Sequence, residues 1–293
     1  GEVLRNPGMS FDVFAYRQSV TPVRTDDIDF TAFVDNPLDG SVLRCLRYMH
    51  DVESHTVCYL RDLLLTKSHD DPRVTTFLTM WAYEEYWHGV AIGQVLAAHG
   101  EAAEDARIAP MRARLTGWKD RVGPYVGAIG SAVMGEDFVA LHMSWGAINE
   151  WSTQAGYERL IARADHPVLT ELLARIAAQE SRHIAFYASE ARLRLARSAR
   201  ARRVTRWALT KLWAPVGSSV MPPAESEFLL DYLMGDDAGR KAAGRIDAHV
   251  DRLPGLSGLR LVSSRLDDAA PAGTTTPPRL RVDSPAARAL VRA

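Results

Sequence analysis

Glu85-Tyr86-Trp87-His88 and Glu180-Ser181-Arg182-His183 repeat one pattern, a glutamate followed three positions later by a histidine. Positions i and i+3 share a face of an α-helix, so each stretch points a carboxylate and an imidazole at one spot. A lone glutamate precedes each copy by about thirty residues, Glu53 before the first and Glu150 before the second. Four carboxylates and two imidazoles are the ligand set of a di-iron or di-manganese centre inside a four-helix bundle.

The spacing puts the six residues at one height. Glu53 and Glu85 each stand about 16 residues from the middle of a turn at Ser68-His69-Asp70, and Glu150 and Glu180 about 15 from a turn at Asp165-His166. At about 1.5 Å of rise per residue, both hairpins carry their acids roughly 22–24 Å from the turn. Glu158 and Glu136 stand about 12 and 21 Å along the axis from Glu150, too far to join them, and Asp51 points away from Glu53. Carboxylates can bridge two metals, imidazoles hold a metal without adding charge, and four carboxylates balance two divalent ions. The competing interpretation, surface glutamates with satisfied core histidines, has to produce the same pattern twice at matched heights.

Around this pattern the chain reads as helical. Apolar residues recur at helical spacing from Val42 to about Lys67. Asp71-Pro72 is a helix start, an acid at the cap and proline in the first turn, and that helix runs to about Ala98 before His99-Gly100. A shorter helix is expected around 105–118, then a connector containing Gly123, Gly127 and Gly130. Long helices over 135–163 and 168–196 follow, the second capped by Asp165 or His166 with Pro167 in its first turn. Further helices are expected over 201–213, 224–235 and 237–251. The expected division is an extended N-terminal arm over 1–38 with apolar anchors at Phe11, Phe14, Tyr16, Phe30 and Phe33, a bundle over 39–215, a helical extension over 216–266 and a flexible tail over 267–293.

Composition narrows the function. The 293 residues are 47% hydrophobic, enough for a sizeable core, and a formal charge of −1 gives no case for nucleic acid as partner. No apolar run is long enough to span a bilayer. Cys45 and Cys58 stand too far apart along one expected helix for a disulfide, and no Cys-x-x-Cys occurs, which points to a reducing, cytoplasmic setting. Arginines cluster over 192–206, either a solvated helix face or a surface for an acidic carrier protein. Trp81, Trp87, Trp145 and Trp151 flank the candidate ligands, as core or as pocket wall.

Trp81-Ala82-Tyr83-Glu84-Glu85-Tyr86-Trp87-His88-Gly89, and Ile176 to His183 continuing to Tyr187, resemble the two ligand-bearing helices of the soluble acyl-carrier-protein desaturases, within the ferritin-like superfamily. The resemblance covers about residues 40–195 and is specific at the ligands. Other di-metal relatives fit less well, because the extra histidine or tyrosine they place beside the ligands falls on Ile176 or Ile92 here. The resemblance implies an all-α, ferritin-like four-helix bundle with additional C-terminal helices. It implies two iron ions, with Mn/Fe as an alternative, held by Glu53, Glu85, His88, Glu150, Glu180 and His183, and a catalytic-side threonine at Thr153, one turn after Glu150. The implied activity is O2-dependent desaturation or hydroxylation of an apolar substrate, carrier-bound in the family, by a homodimer. With no flavin or iron–sulfur motif in the chain, electrons would come from an external donor such as ferredoxin. The family has an aspartate where this chain has Gln179, at a position whose carboxylate orients a ligand histidine; Glu84 is the candidate for the same task in the first motif. The rival function is iron oxidation or metal-dependent ligand binding without C–H chemistry, and a long apolar pocket beside the metals would separate the two.

Overall fold

The computed structural model describes residues 11–101, 104–114 and 118–268, and every regular element among them is helical. The chain enters through α1 (Val13–Ser19) and α2 (Ala32–Asp35), then forms α3 (Gly40–Leu64). The Asp39 carboxylate caps α3 by accepting from the amides of Ser41 and Val42. A single turn of 3₁₀-helix, Lys67–Asp70, reverses the chain into α4 (Pro72–Ala98), where Asp71 accepts from the amides of Arg73 and Val74. Proline at the first position of α4 lacks only an N–H that the helix start leaves unpaired anyway.

α5 (Glu104–Arg114) and α6 (Trp118–Met134) lead to the second long pair, α7 (Glu136–Ala164) and α8 (Pro167–Arg197). Asp165, in the left-handed region at φ 45°, ends α7, and His166 caps α8 by accepting from Leu169 N–H. The C-terminal part adds α9 (Ala199–Leu212), α10 (Pro223–Met234), α11 (Asp237–Asp251) and α12 (Leu261–Asp268). The core is built from two helical hairpins, α3 on α4 and α7 on α8, with α9 and α11 packed on α7 and α10 bridging α3 and α7.

Three expectations need correction. The described part of the N-terminal arm is not extended: residues 11–38 hold two helices and pack on the hairpins. Tyr16 and Phe33 are fully enclosed, and Phe33 stacks on His166 at 4.5 Å between ring centres. His166 in turn hydrogen-bonds the carbonyl of Asn36, and His99 accepts from Leu38 N–H. These partners lie far off in sequence, so local pattern could not show them.

The glycine-containing connector is part of α6. Each glycine costs a helix about 1 kcal/mol, but the end of α6 is held by docking, where Ser131 Oγ accepts from Lys67 N–H. The tail boundary at 267 also moves, because α12 runs through Asp268; the rest of the expected tail lies outside the described residues. Cys45 and Cys58 both lie on α3 as free thiols. No helix among the described residues is long and apolar enough to cross a membrane.

Candidate metal centre

Each long helix delivers its share of the six residues to one buried volume. α3 supplies Glu53, α4 Glu85 and His88, α7 Glu150, and α8 Glu180 and His183, all buried. Two overlapping groups form: Glu53, Glu85, His88 and Glu180, and Glu85, Glu150, Glu180 and His183. Within each group one ligand atom from every residue lies within 4.8 Å of the others. Glu85 and Glu180 belong to both, while each remaining acid and each histidine belongs to one group. Gly89 permits the close approach of α3 and α4, since a Cβ there would sit 2.6 Å from Ser54 Oγ.

The groups inside this volume are short of partners. His88 Nδ1, Glu85 Oε1 and Glu180 Oε1 are buried and make no hydrogen bond. His88 Nδ1 nevertheless lies 3.2 Å from Glu180 Oε1, and His183 Nδ1 lies 3.1 Å from Glu85 Oε1 and 2.9 Å from Glu180 Oε2. Buried polar atoms are nearly always satisfied, so converging unsatisfied donors and acceptors are what a cation site offers. The donor set, carboxylate and imidazole with no thiolate, could hold a metal ion that oxygen and nitrogen ligands suit.

A surrounding layer fixes the ligands. Both histidines engage a fixed acceptor through Nε2, which leaves Nδ1 for the centre. His183 Nε2–H donates to Glu84 Oε2 at 2.9 Å, and His88 Nε2–H donates to Gln179 Oε1 at 2.9 Å. Glu84 and Gln179 are the residues just before the two motif glutamates, and each supports the histidine of the opposite motif. Gln179, an amide, thus orients a histidine as Glu84 does. Glu84 is fully buried and also accepts from Tyr16 O–H at 2.7 Å and from Arg182. Trp81 Nε1–H donates to Glu150 Oε1 at 2.9 Å, and Tyr157 O–H donates to Glu53 Oε1 at 2.5 Å. The roles of Tyr16, Tyr157 and Arg182 were not read from the sequence. Tyr157 could have been noticed two helical turns after Glu150 on the ligand face of α7; Tyr16 reads in the sequence only as an apolar anchor of the arm.

The six groups shift one another's pKa values strongly. Burial, reinforced by Glu85 and Glu180, holds Glu53 well above the usual carboxylate range, and burial with Glu180 and Glu85 does the same to Glu150. Burial also opposes charge on the histidines, but the carboxylates outweigh it. Glu180 and Glu85 push His88 up to about 10, and Glu180, Glu84 and Glu85 raise His183 well above its ordinary value. Glu85 and Glu180 are held low despite burial by the partners around them, His88 and His183 among them.

Thr153 is not part of either metal group. With Glu53 it lines a small apolar pocket of about 100 Å³ between α3, α7 and the C-terminal helices. Met49, Val52, Leu229, Leu230 and Leu233 form much of the wall, and apart from Glu53 and Arg265 the lining is uncharged. His50, His55 and His142 join neither metal group. His142 Nδ1 is paired with Ser68 Oγ at 2.7 Å, and burial lowers its pKa to about 3. Trp145 is a partly buried core residue, whereas Trp151 stacks on His249 at 5.0 Å.

Much of the arginine cluster is engaged inside the molecule. Arg194 pairs with Asp71 and Glu190, Arg200 with Asp137, Arg202 reaches the Leu195 carbonyl, and Arg206 those of Gly255 and Ser257. No family model, no curated protein and no solved structure matches the chain.

Proposed function

We propose that this chain is an O2-dependent non-haem di-iron oxidase of ferritin-like bundle architecture, acting on an apolar substrate as a desaturase or hydroxylase. The observation that carries the proposal is the contact between two features: Glu53 is both a member of a metal group and part of the wall of an apolar pocket. An iron store wants polar groups on the path to its metals; a pocket lined by Met49, Val52, Leu229, Leu230 and Leu233 favours C–H chemistry instead.

Glu53, Glu85, His88 and Glu180 would hold one iron, and Glu85, Glu150, Glu180 and His183 the other. The bound irons would supply the power to reduce O2 and oxidise a C–H bond. The protein's part is binding, orientation and exclusion of water. The apolar wall strips water from the substrate and places it beside Glu53. Thr153 lines the same wall, and its hydroxyl would be the group available there to hold or pass a proton. Tyr157 and Trp81 hold Glu53 and Glu150 in place through the hydrogen bonds described above.

The stoichiometry is closed by two electrons and two protons. O2 with a C–H substrate then yields an alcohol and one water, and O2 with a CH2–CH2 unit yields an alkene and two waters. The electrons come from a separate donor of the ferredoxin or reductase class. The test is to reconstitute the protein with Fe(II), supply a chemical reductant and O2, and present saturated acyl chains, free and carrier-bound. Product lighter by two hydrogens or heavier by one oxygen supports the proposal. O2 consumption that no apolar chain stimulates, with Fe(III) accumulating as a mineral, would favour iron oxidation and storage instead.

A further inference from the structure

We infer that the two metal positions are unequal by construction: the His183 position binds first and more tightly, and the His88 position is the weak one. The inference rests on the proposed di-metal function and concerns how the chain treats each ion. Both positions share Glu85 and Glu180, and each adds one further glutamate and one histidine. What distinguishes them lies behind the histidines. His183 donates its Nε2–H to a carboxylate, Glu84, whereas His88 donates to an amide, Gln179.

A carboxylate partner makes an imidazole the more basic, more strongly donating ligand, because the charge-assisted hydrogen bond polarises the ring toward its other nitrogen. An amide oxygen orients the ring as well but polarises it less. The extra buried charge of Glu84 is compensated in place, with Arg182 on Oε1 and Tyr16 on Oε2. Gln179 is committed to its amide role as well, because its Nε2 donates to the Thr21 carbonyl at 3.1 Å, a bond no carboxylate could make. The remaining ligands do not offset the difference, since Glu53 and Glu150 each accept one neutral hydrogen bond, from Tyr157 and Trp81. Partners of this kind change metal affinity by about 10–100-fold.

Glu84 and Gln179 are therefore positioning residues that grade the two sites. Such grading makes filling sequential and gives a mixed-metal centre a route to assembly, the scarcer or tighter-binding ion first at His183 and the second at His88.

The experiment is Mn(II) titration of the metal-free full chain, with free Mn(II) read by EPR. Two steps in the wild type do not decide the matter, because neighbouring cations repel each other even at identical sites. The decision lies in which step each substitution moves. Glu84→Gln is expected to weaken the first step by about 10–100-fold, while Gln179→Ala leaves the first step within about twofold and weakens only the second.

At equivalent sites, either substitution would leave the first step nearly unchanged, because the untouched site fills first; that outcome for Glu84→Gln overturns the inference. Should Glu84→Gln fail to fold by circular dichroism, Gln179→Glu decides: unequal sites predict that the two steps draw together, equal sites that they move apart. Two Mn(II) bound with the equal-site pattern removes this inference and leaves the proposed function standing. No Mn(II) bound by the wild type, and no Fe(II) under anaerobic loading, removes both.

Discussion

Replacing Glu150 by glutamine should make the metal-free protein more stable and the metal-loaded protein defective. Glu150 lies fully inside the cluster, and burial with the nearby Glu180 and Glu85 lifts it well above its ordinary value of 4.5. An acid whose pKa rises on folding holds a proton that the unfolded chain releases. It therefore contributes nothing below about pH 4.5 and destabilises the fold increasingly as pH rises above that value. Each pH unit is worth about 1.4 kcal/mol, so the ceiling at pH 7 is about 3 kcal/mol. Glutamine matches the protonated acid in shape, keeps an oxygen for Trp81 Nε1–H, and offers its amide to Glu180.

Urea unfolding of chelator-treated wild type and Glu150→Gln should show the variant more stable at pH 7, by up to about 3 kcal/mol, with the gap closing near pH 4.5. Because Glu150 belongs to one metal group only, the same variant should hold one metal per chain rather than two. A variant that is less stable at pH 7, or whose advantage is the same at pH 4.5, would refute the electrostatic reasoning.

Glu85→Ala and Glu180→Ala remove the shared ligands, so each should lose both ions by elemental analysis, whereas Glu53→Ala should lose one. Metal binding should release protons, because folding raises the pKa values of Glu53, Glu150, His88 and His183 and a bound cation needs them deprotonated. Affinity should accordingly rise with pH toward the His88 value of about 10, and calorimetry in two buffers of different ionisation enthalpy counts the protons. Gly156→Leu should fill the apolar pocket, since a Cβ there meets Met49 and Leu233 only at ordinary contact distances of 3.5 and 3.8 Å. Two metals should remain, and stimulation of O2 uptake by apolar chains should disappear. Gly89→Ala should push α3 from α4, with the backbone nitrogen of Ser54 only 3.3 Å from the new Cβ. Unfolding free energy lowered by about 1–3 kcal/mol of overpacking, less the roughly 1 kcal/mol alanine adds to a helix, is the expected result, read from urea unfolding.

The helices that carry the ligands were legible because their signals are local. Asp39, Asp71-Pro72 and His166-Pro167 mark starts that depend only on unpaired N–H groups within one turn. The convergence of Glu53, Glu85, Glu150 and Glu180 followed from rise per residue alone. What stayed hidden depends on contacts between distant segments. Tyr16 reaches Glu84 across 68 positions and Tyr157 reaches Glu53 across 104, and no periodicity links them. α6 was misread because its glycines signal a turn locally, while its stability comes from docking. Glu84 and Gln179 lie between these cases, as their positions beside the motif glutamates were visible but their crossing to opposite histidines needed the fold.

Anaerobic Fe(II) loading of the metal-free chain, followed by elemental analysis and Mössbauer spectroscopy, tests the central claim most directly, with Glu85→Ala and Glu180→Ala beside the wild type. The account predicts two irons per chain, magnetically coupled as a pair that shares bridging carboxylates, and no paired iron in either variant. A well-folded wild type that binds no iron, or binds isolated ions that survive both substitutions, would contradict it.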